Sequence, residues 1–134
     1  MTDVYKKVVD MIDDNWSSTI NKPLIGLVTE YRWLDVANME YVLVGSVIQN
    51  YSFLGLGAED YRDDLQISIL VKTSESRERS IELLEEVLRI MKTKEHWSPL
   101  INVYVDNIVD LSSAERKIWS FDIIIKAMLL ERLG

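Results

Sequence analysis

The stretch of sequence that most constrains the fold runs from Asp63 to Lys92, because the spacing of its apolar residues changes partway along. In the first part every second residue is apolar, which is typical of a half-buried strand. These residues are Leu65, Ile67, Ile69 and Val71. In the second part apolar residues recur every three or four positions, which predicts one buried stripe of a helix. These residues are Ile81, Leu84, Val87, Leu88 and Met91. We therefore predict a central strand followed by a helix packed on the sheet.

The ends and outer face of this helix are also predicted by residue type. Thr73 or Ser74 can cap it, because a short hydroxyl side chain accepts hydrogen bonds from the free amides of the first turn. The remaining face carries many carboxylates, spaced to form ion pairs one turn apart with basic residues. Its members are Glu82, Glu85, Glu86 and Arg89. We expect this face to be exposed.

Length and composition limit the class of protein. The chain has 134 residues, a size that suits a single domain spanning 1–134. It contains no cysteine, so a disulfide framework and a thiolate metal site are both excluded. Its formal net charge of -7 works against nucleic-acid binding, which depends on cations that neutralise phosphates. The N-terminal stretch is amphipathic and the C-terminal apolar stretch is interrupted by charge, so we expect a soluble protein without a signal peptide or membrane span.

The remaining elements follow from the same two periods. We predict a first helix capped by Thr2 and ending near Asp14 or Asn15, with Trp16 packed back against the core. The predicted strands besides the central one are Leu24–Val36, Tyr41–Gln49, Leu100–Asp106 and Lys117–Met128. Gly45 in the second of these is typical of either a bulge or a close backbone approach. The order α-β-β-β-α-β-β indicates an α+β fold, with a largely antiparallel sheet of about five strands and two helices on one face.

One predicted loop, Asn50–Arg62, is unusually apolar. Loops normally run over the surface and are polar, so an apolar loop either folds onto the core or contacts another chain. We favour the second interpretation and predict a protein interface here. Its candidate residues are Tyr51, Phe53, Leu54, Leu56 and Tyr61. Replacing Phe53 and Leu54 by serine is expected to weaken assembly and leave the monomer folded.

No residue pattern indicates catalysis, and we predict no catalytic residue, no metal and no cofactor. His96 is the only histidine, so it lacks the partners of a metal site or a base–nucleophile pair, and we interpret it as an exposed turn residue. The densest acidic cluster lacks the spacing of a calcium loop and is interpreted as a solvated loop. It comprises Glu59, Asp60, Asp63 and Asp64. A metal-dependent enzyme built on the three aspartates is the least favoured alternative.

With the elements in order, the chain resembles the tail-completion proteins of tailed viruses and proviruses, the tail-terminator and neck group. The resemblance covers nearly the whole chain and lies in layout and in several stretches. These are the opening helix ending in Asn15-Trp16, the Thr19–Pro23 turn into Leu24-Ile25, the Tyr41–Val44 strand, the Leu65–Val71 strand running into the Arg77–Met91 helix, and the Asp110-Leu111-Ser112 turn.

The resemblance implies a ring-forming structural protein, commonly a hexamer, at the head–tail junction or the tail end. Its partners would be further copies of itself and tail-tube or connector subunits, in the virion or in the host cytoplasm during assembly. The net negative charge would suit a channel through which DNA passes without sticking. The alternative is a small cellular adaptor or regulatory domain that binds another protein through the apolar loop.

Overall fold

The computed structural model describes residues 3–32, 36, 39–53 and 60–132, and within these it describes side chains except at 46–53, 60–63 and 131–132. The helices are α1 (Val4–Asp14) and α2 (Arg77–Lys92), with two short 3-10 helices at Val28–Glu30 and Lys94–Trp97. The strands are β1 (Leu24–Leu27), β2 (Tyr41–Phe53), β3 (Asp60–Thr73), β4 (Ile101–Asp110) and β5 (Trp119–Arg132).

The five strands form one sheet in the order β1-β2-β3-β5-β4. β1 runs parallel to β2, and the other three neighbouring pairs are antiparallel. This confirms the predicted α+β class, the order of elements and the central position of β3. None of the described helices is both long and apolar enough to cross a membrane.

The main core lies between the sheet and the two helices. In β3 the alternating residues predicted to be buried, from Leu65 to Val71, are at most 3% exposed. Residues directly opposite each other in a ladder share a face, so β5 contributes Phe121, Ile123 and Ile125 to the same layer. Both helices add buried side chains to this one cluster. Burial of apolar area at roughly 25 cal/mol per Å² makes this layer the main source of stability.

A second, smaller apolar cluster covers the opposite face of the sheet at β1 and β2. It is built on Val36, Tyr41 and Leu43. The first part of β2 is therefore buried on both faces, as its two apolar faces predicted. The predicted strand Leu24–Val36 is wrong beyond Leu27, because the chain turns there into a 3-10 helix. The end of that prediction, at 33–35, lies outside the described residues.

The predicted loop Asn50–Arg62 is also wrong at both of its ends. β2 continues to Phe53 and β3 begins at Asp60, so the two strands form a long hairpin whose last pair is Phe53 and Tyr61. Residues 54–59 lie outside the described part of the chain. At 50–53 and 60–62, backbone pairing between the two strands decides the conformation in place of the loop that the sequence predicted. The bulge at Gly45, one of its two predicted interpretations, is confirmed by a register shift between Val44 and Ser46.

Helix α2 is rotated relative to the predicted stripe. Its fully buried apolar residues are Leu83, Val87 and Ile90, whereas Leu84 and Leu88 are half-buried at the edge of the core. Three polar side chains on this face, Arg79, Ser80 and Glu86, are buried together with the apolar ones and are hydrogen-bonded. Periodicity of apolar residues alone could not detect them.

The helix caps also differ from prediction by a few residues. Ser76, instead of Thr73 or Ser74, caps α2 by accepting a hydrogen bond from the Arg79 amide at 3.0 Å. Asp3 caps α1 by accepting one from the Lys6 amide at 3.2 Å. The predicted cap, Thr2, lies outside the described residues. The end of α1 at Asp14 and the packing of Trp16 against the core are confirmed.

Candidate protein-interaction site

β4 is a ten-residue strand at one edge of the sheet. Its sequence is rich in isoleucine and valine, which favour the extended conformation. It pairs with β5 on one side, and no other described strand pairs with it on the other. The outer side of β4 therefore presents backbone amides and carbonyls on which a further strand could be added.

The side chains of β4 are unusually exposed for an apolar strand. Ile101 is 42% exposed, Tyr104 54% and Ile108 38%. Tyr104 lies opposite Lys126 on the face away from the helices, whereas Val105 lies opposite Ile125 on the helix side. Exposed apolar side chains gathered on one element mark a contact surface more often than single ones do.

Two irregularities shape the edge of β4. The register with β5 shifts between Ile101 and Tyr104 and again between Val105 and Asn107. Asn102 within the first shift has a φ of 52°, in the left-handed region that asparagine tolerates better than most residues. Such bulges redirect side chains near the rim of a sheet, and here the first one lies beside a pocket.

The pocket has a volume of about 800 Å³ and lies between β4, the end of α2 and the 3-10 helix that follows α2. Its floor is apolar, made by Met91, Trp97, Leu100, Val103, Val105 and Ile125. Its volume lies within the range of about 300–1,000 Å³ that is typical of ligand and side-chain pockets. Among the described residues that line it there are two lysines, Lys92 and Lys94, and no carboxylate. The pocket therefore suits an apolar group with a negative charge beside it.

The wall of the pocket is held by hydrogen bonds from the 3-10 helix. The indole Nε1 of Trp97 donates to the carbonyl oxygen of Met91 at 2.5 Å. His96 Nδ1 lies 3.1 Å from the carbonyl oxygen of Ile90, and the His96 carbonyl accepts a bond from Lys7 Nζ at 3.1 Å. The prediction that His96 is an exposed turn residue is therefore wrong, since its ring is half-buried and its backbone is tied to α1.

Hydrogen bonds join the other end of β4 to the start of α2. Arg77 Nη2 donates to Asp110 Oδ2 at 3.0 Å, and the Ser112 amide donates to Asp110 Oδ1 at the same distance. Hydrogen bonds from Ser112 and Arg77 lower the pKa of Asp110 to about 2. The Arg77 guanidinium also lies 5.2 Å from the centre of the Phe121 ring. β4 is thus positioned at both ends, and its outer edge is left accessible.

The structure places only some of the sequence-predicted interface residues. Tyr51 and Phe53 belong to β2 and Tyr61 to β3, while Leu54 and Leu56 lie outside the described residues. Their role as an interface remains a prediction. Of the acidic cluster, Asp60, Asp63 and Asp64 belong to β3, so the interpretation of that cluster as a loop is wrong there. In the described residues no three histidine, cysteine or acidic side chains are grouped so that they could hold a metal ion.

The β4 edge and its pocket were not predicted from the sequence. The pattern of Leu100–Asp106 indicated a strand, but which strand lies at an edge depends on pairing between distant segments. One signal was present: the residues two positions away from Tyr104 and Ile108, on the same side of an alternating strand, are polar. They are Asn102, Asp106 and Asp110. Comparison of the sequence with protein-family models and with curated proteins gives no match.

Proposed function

We propose that the protein is a structural assembly protein that binds other protein subunits, copies of itself first, through the β4 edge. The observation that carries the proposal is the exposure of Ile101, Tyr104 and Ile108 on a strand whose outer side is unpaired in the described residues. Strand addition at such an edge combines main-chain hydrogen bonds with burial of apolar side chains. A long exposed apolar edge is otherwise an aggregation hazard that proteins avoid.

The resemblance to tail-completion proteins gives this assembly its proposed form. It is a ring at the head–tail junction or the tail end of a virus or provirus particle, touching tail-tube or connector subunits. The two edge strands, β1 and β4, are different surfaces. When β4 of one copy contacts any surface of its neighbour other than β4, the contact is heterologous. Heterologous contacts generate closed rings when the rotation between copies closes. This agrees with a ring and would also agree with a filament.

Light scattering of the purified protein across a range of concentrations tests the proposal. We expect an oligomer for the natural chain, and a shift towards monomer when Tyr104 and Ile108 are both replaced by lysine, because charges on an edge strand oppose strand addition. The matched control replaces Ser18 and Ser74, which are exposed and lie outside the strands, by lysine. It adds the same charge and should leave the oligomer unchanged.

Two results would contradict the proposal. One is a monodisperse monomer at high concentration, which would favour the alternative of a small adaptor domain acting on a different partner. The other is an oligomer that the Tyr104 and Ile108 changes leave intact, which would move the contact away from β4. Circular dichroism of each variant checks that the monomer stays folded.

A further inference from the structure

We infer that two copies of the chain pair through β4 of each copy, antiparallel and in the register that aligns Ile101 of each strand with Asp110 of the other. In this pair, Ile108 of each copy enters the pocket beside β4 of the other copy. The inference rests on the proposed function, because it names the surface of the second copy that meets the β4 edge.

The two halves of β4 differ on the face that carries the helices. The pocket lies beside the first half, Ile101–Val105, where Val103 forms part of its apolar floor. The second half, Asp106–Asp110, contains Ile108, which lies opposite the buried Ile123 of β5 and therefore on the same face. Its side chain is only partly covered. One half of the strand thus offers an apolar cavity, and the other half offers an apolar side chain.

An antiparallel pair brings each cavity to the exposed isoleucine of the other copy. When all ten residues of the two strands overlap, Ile108 stands opposite Val103, which lines the pocket. Tyr104 then stands opposite Asn107, and both of these residues lie on the face away from the helices. At both pairs the register places side chains of the same face opposite each other, as a continuous sheet requires.

The charges around β4 favour the antiparallel orientation. Lys92 and Lys94 line the pocket, and neither makes an ion pair or a side-chain hydrogen bond within the part of the chain that the structure describes. Asp110, at the other end of β4, pairs with Arg77 and keeps a side chain that is 46% exposed. Antiparallel strands bring Asp110 of one copy to the lysines of the other, whereas parallel strands would bring the four lysines together. Such complementarity selects orientation more than it adds affinity.

The same register keeps the carboxylates of the two strands apart. Asp106 stands opposite Val105, and Asp110 stands opposite Ile101, so no aspartate of one β4 directly faces an aspartate of the other. The contact is isologous, because both copies use the same surface, and it makes a two-fold pair. A ring assembled from such pairs closes through a further surface of the chain.

Disulfide trapping tests the register on the full chain, since the natural chain has no cysteine. A mixture of Tyr104→Cys and Asn107→Cys chains should form a crosslinked dimer of the two under mild oxidation, because residues directly opposite each other lie within reach of a disulfide. Tyr104→Cys alone should crosslink at least tenfold less. Its counterpart in the other copy is displaced by three residues, or about 10 Å along the strand.

Truncation of Ile108 tests the occupant of the pocket. Ile108→Ala should weaken self-association at least tenfold in analytical ultracentrifugation, because the pocket loses the apolar side chain that fills it. Leu130→Ala is the matched control, since Leu130 is 51% exposed and lies on β5, outside the contact. It should have little effect. Circular dichroism checks that each variant stays folded.

The outcomes separate this inference from the proposed function. If the natural chain is an oligomer that the lysine changes at Tyr104 and Ile108 dissociate, but the mixed cysteine chains do not crosslink, the inference is overturned and the proposed function stands. Efficient crosslinking of Tyr104→Cys with itself would show parallel strands in register and would also overturn it. Unchanged association of Ile108→Ala would overturn the assignment of the pocket. A chain that is monomeric at all concentrations would overturn both.

Discussion

Glu86 shows how single buried charges hold the helices to the rest of the chain. Glu86 is 3% exposed, and its carboxylate accepts hydrogen bonds from the Ser17 amide at 2.6 Å and from Arg89 Nε at 2.5 Å. The Arg89 side chain reaches on to the carbonyl oxygen of Asn15 at 2.7 Å. These contacts tie α2 to the connection after α1. The prediction that Glu86 lies on an exposed helix face is therefore wrong.

Arg79 makes the second such link. Its guanidinium donates to both carboxylate oxygens of Glu40, at 2.9 and 2.7 Å, to the Asn21 carbonyl at 2.6 Å, and to Glu82. Thr73 Oγ1 also donates to Glu40 at 2.9 Å. The hydrogen bond from Arg79 is the main cause that lowers the pKa of Glu40. Breaking a buried pair of this kind leaves a charge without a partner, which costs more than the pair itself contributes.

We predict that Glu86→Gln lowers the free energy of unfolding at pH 7 by about 1–2 kcal/mol, because a charge-assisted hydrogen bond becomes a neutral one. The hydrogen bond from Arg89 is the main cause that lowers the pKa of Glu86 in the folded protein from 4.5. Its contribution is therefore complete above about pH 4.5 and is lost as the pH falls through the lower folded value. The variant should lose less stability than the natural chain on acidification.

Urea unfolding at several pH values from 7 to 3 measures this difference. Glu85→Gln, a neighbouring exposed carboxylate, is the matched control and should change neither the stability at pH 7 nor its pH dependence appreciably. If the free energy of unfolding depends on pH in the same way for the natural chain and for Glu86→Gln, ionisation of Glu86 does not contribute to stability.

At the scale of elements, α2 packs on the sheet through a face that differs from the one its apolar spacing predicted. Leu83 is fully buried, whereas its neighbour Leu84 is only half-buried. The rotation brings Arg79 and Glu86 towards the segments they anchor, so the orientation of the helix reflects polar contacts as well as apolar burial. The apolar residues of α2 extend around about half of its circumference, so more than one orientation would bury most of them, and tertiary contacts select one.

This difference predicts unequal costs for the same truncation on α2. Leu83→Ala should lower the free energy of unfolding by about 3 kcal/mol, because it leaves a cavity in a packed core. Leu84→Ala should cost about 1 kcal/mol, since a half-exposed side chain loses less burial. Denaturant unfolding of both variants measures the ratio. Equal losses, or a larger loss for Leu84, would mean that α2 sits as its apolar spacing alone suggests.

At the scale of the whole molecule, the sheet has a covered side and an open edge. Both helices lie on one side, and among the described residues the small cluster around Tyr41 and Leu43 covers the opposite face near β1 and β2. β3 lies between two strands, whereas β4 has one described neighbour. Stability is therefore distributed unevenly, with β3 at the centre and β4 at the margin.

Hydrogen exchange should report both this gradient and the proposed assembly. Amides of β3 should exchange slowest in every state, because both sides of that strand are paired. In the Tyr104→Lys, Ile108→Lys chain, about half of the β4 amides should exchange fast, and in the assembled natural chain they should slow at least tenfold as a neighbouring strand covers them. Fast exchange along β4 in a stable oligomer would show that the copies meet elsewhere.

The sequence by itself determined the order of elements, the class of fold and the core positions of β3. These depend on local period, and alternation from Leu65 to Val71 has one sensible interpretation because every second side chain of a strand faces the same way. The N- and C-terminal limits of α1 and α2 were predicted to within a few residues, since caps are also local.

Only the tertiary structure decided which strand lies at an edge, how α2 is rotated and where the pocket forms. Pairing of β4 with β5 and burial of Glu86 join segments far apart in the chain, and no local pattern encodes such distances. The hairpin at Phe53 and Tyr61 shows the same limit, because pairing with a neighbour made strands of residues whose own sequence predicted a loop. Local spacing sets what each segment can become, and the burial of distant partners sets which of those options is realised.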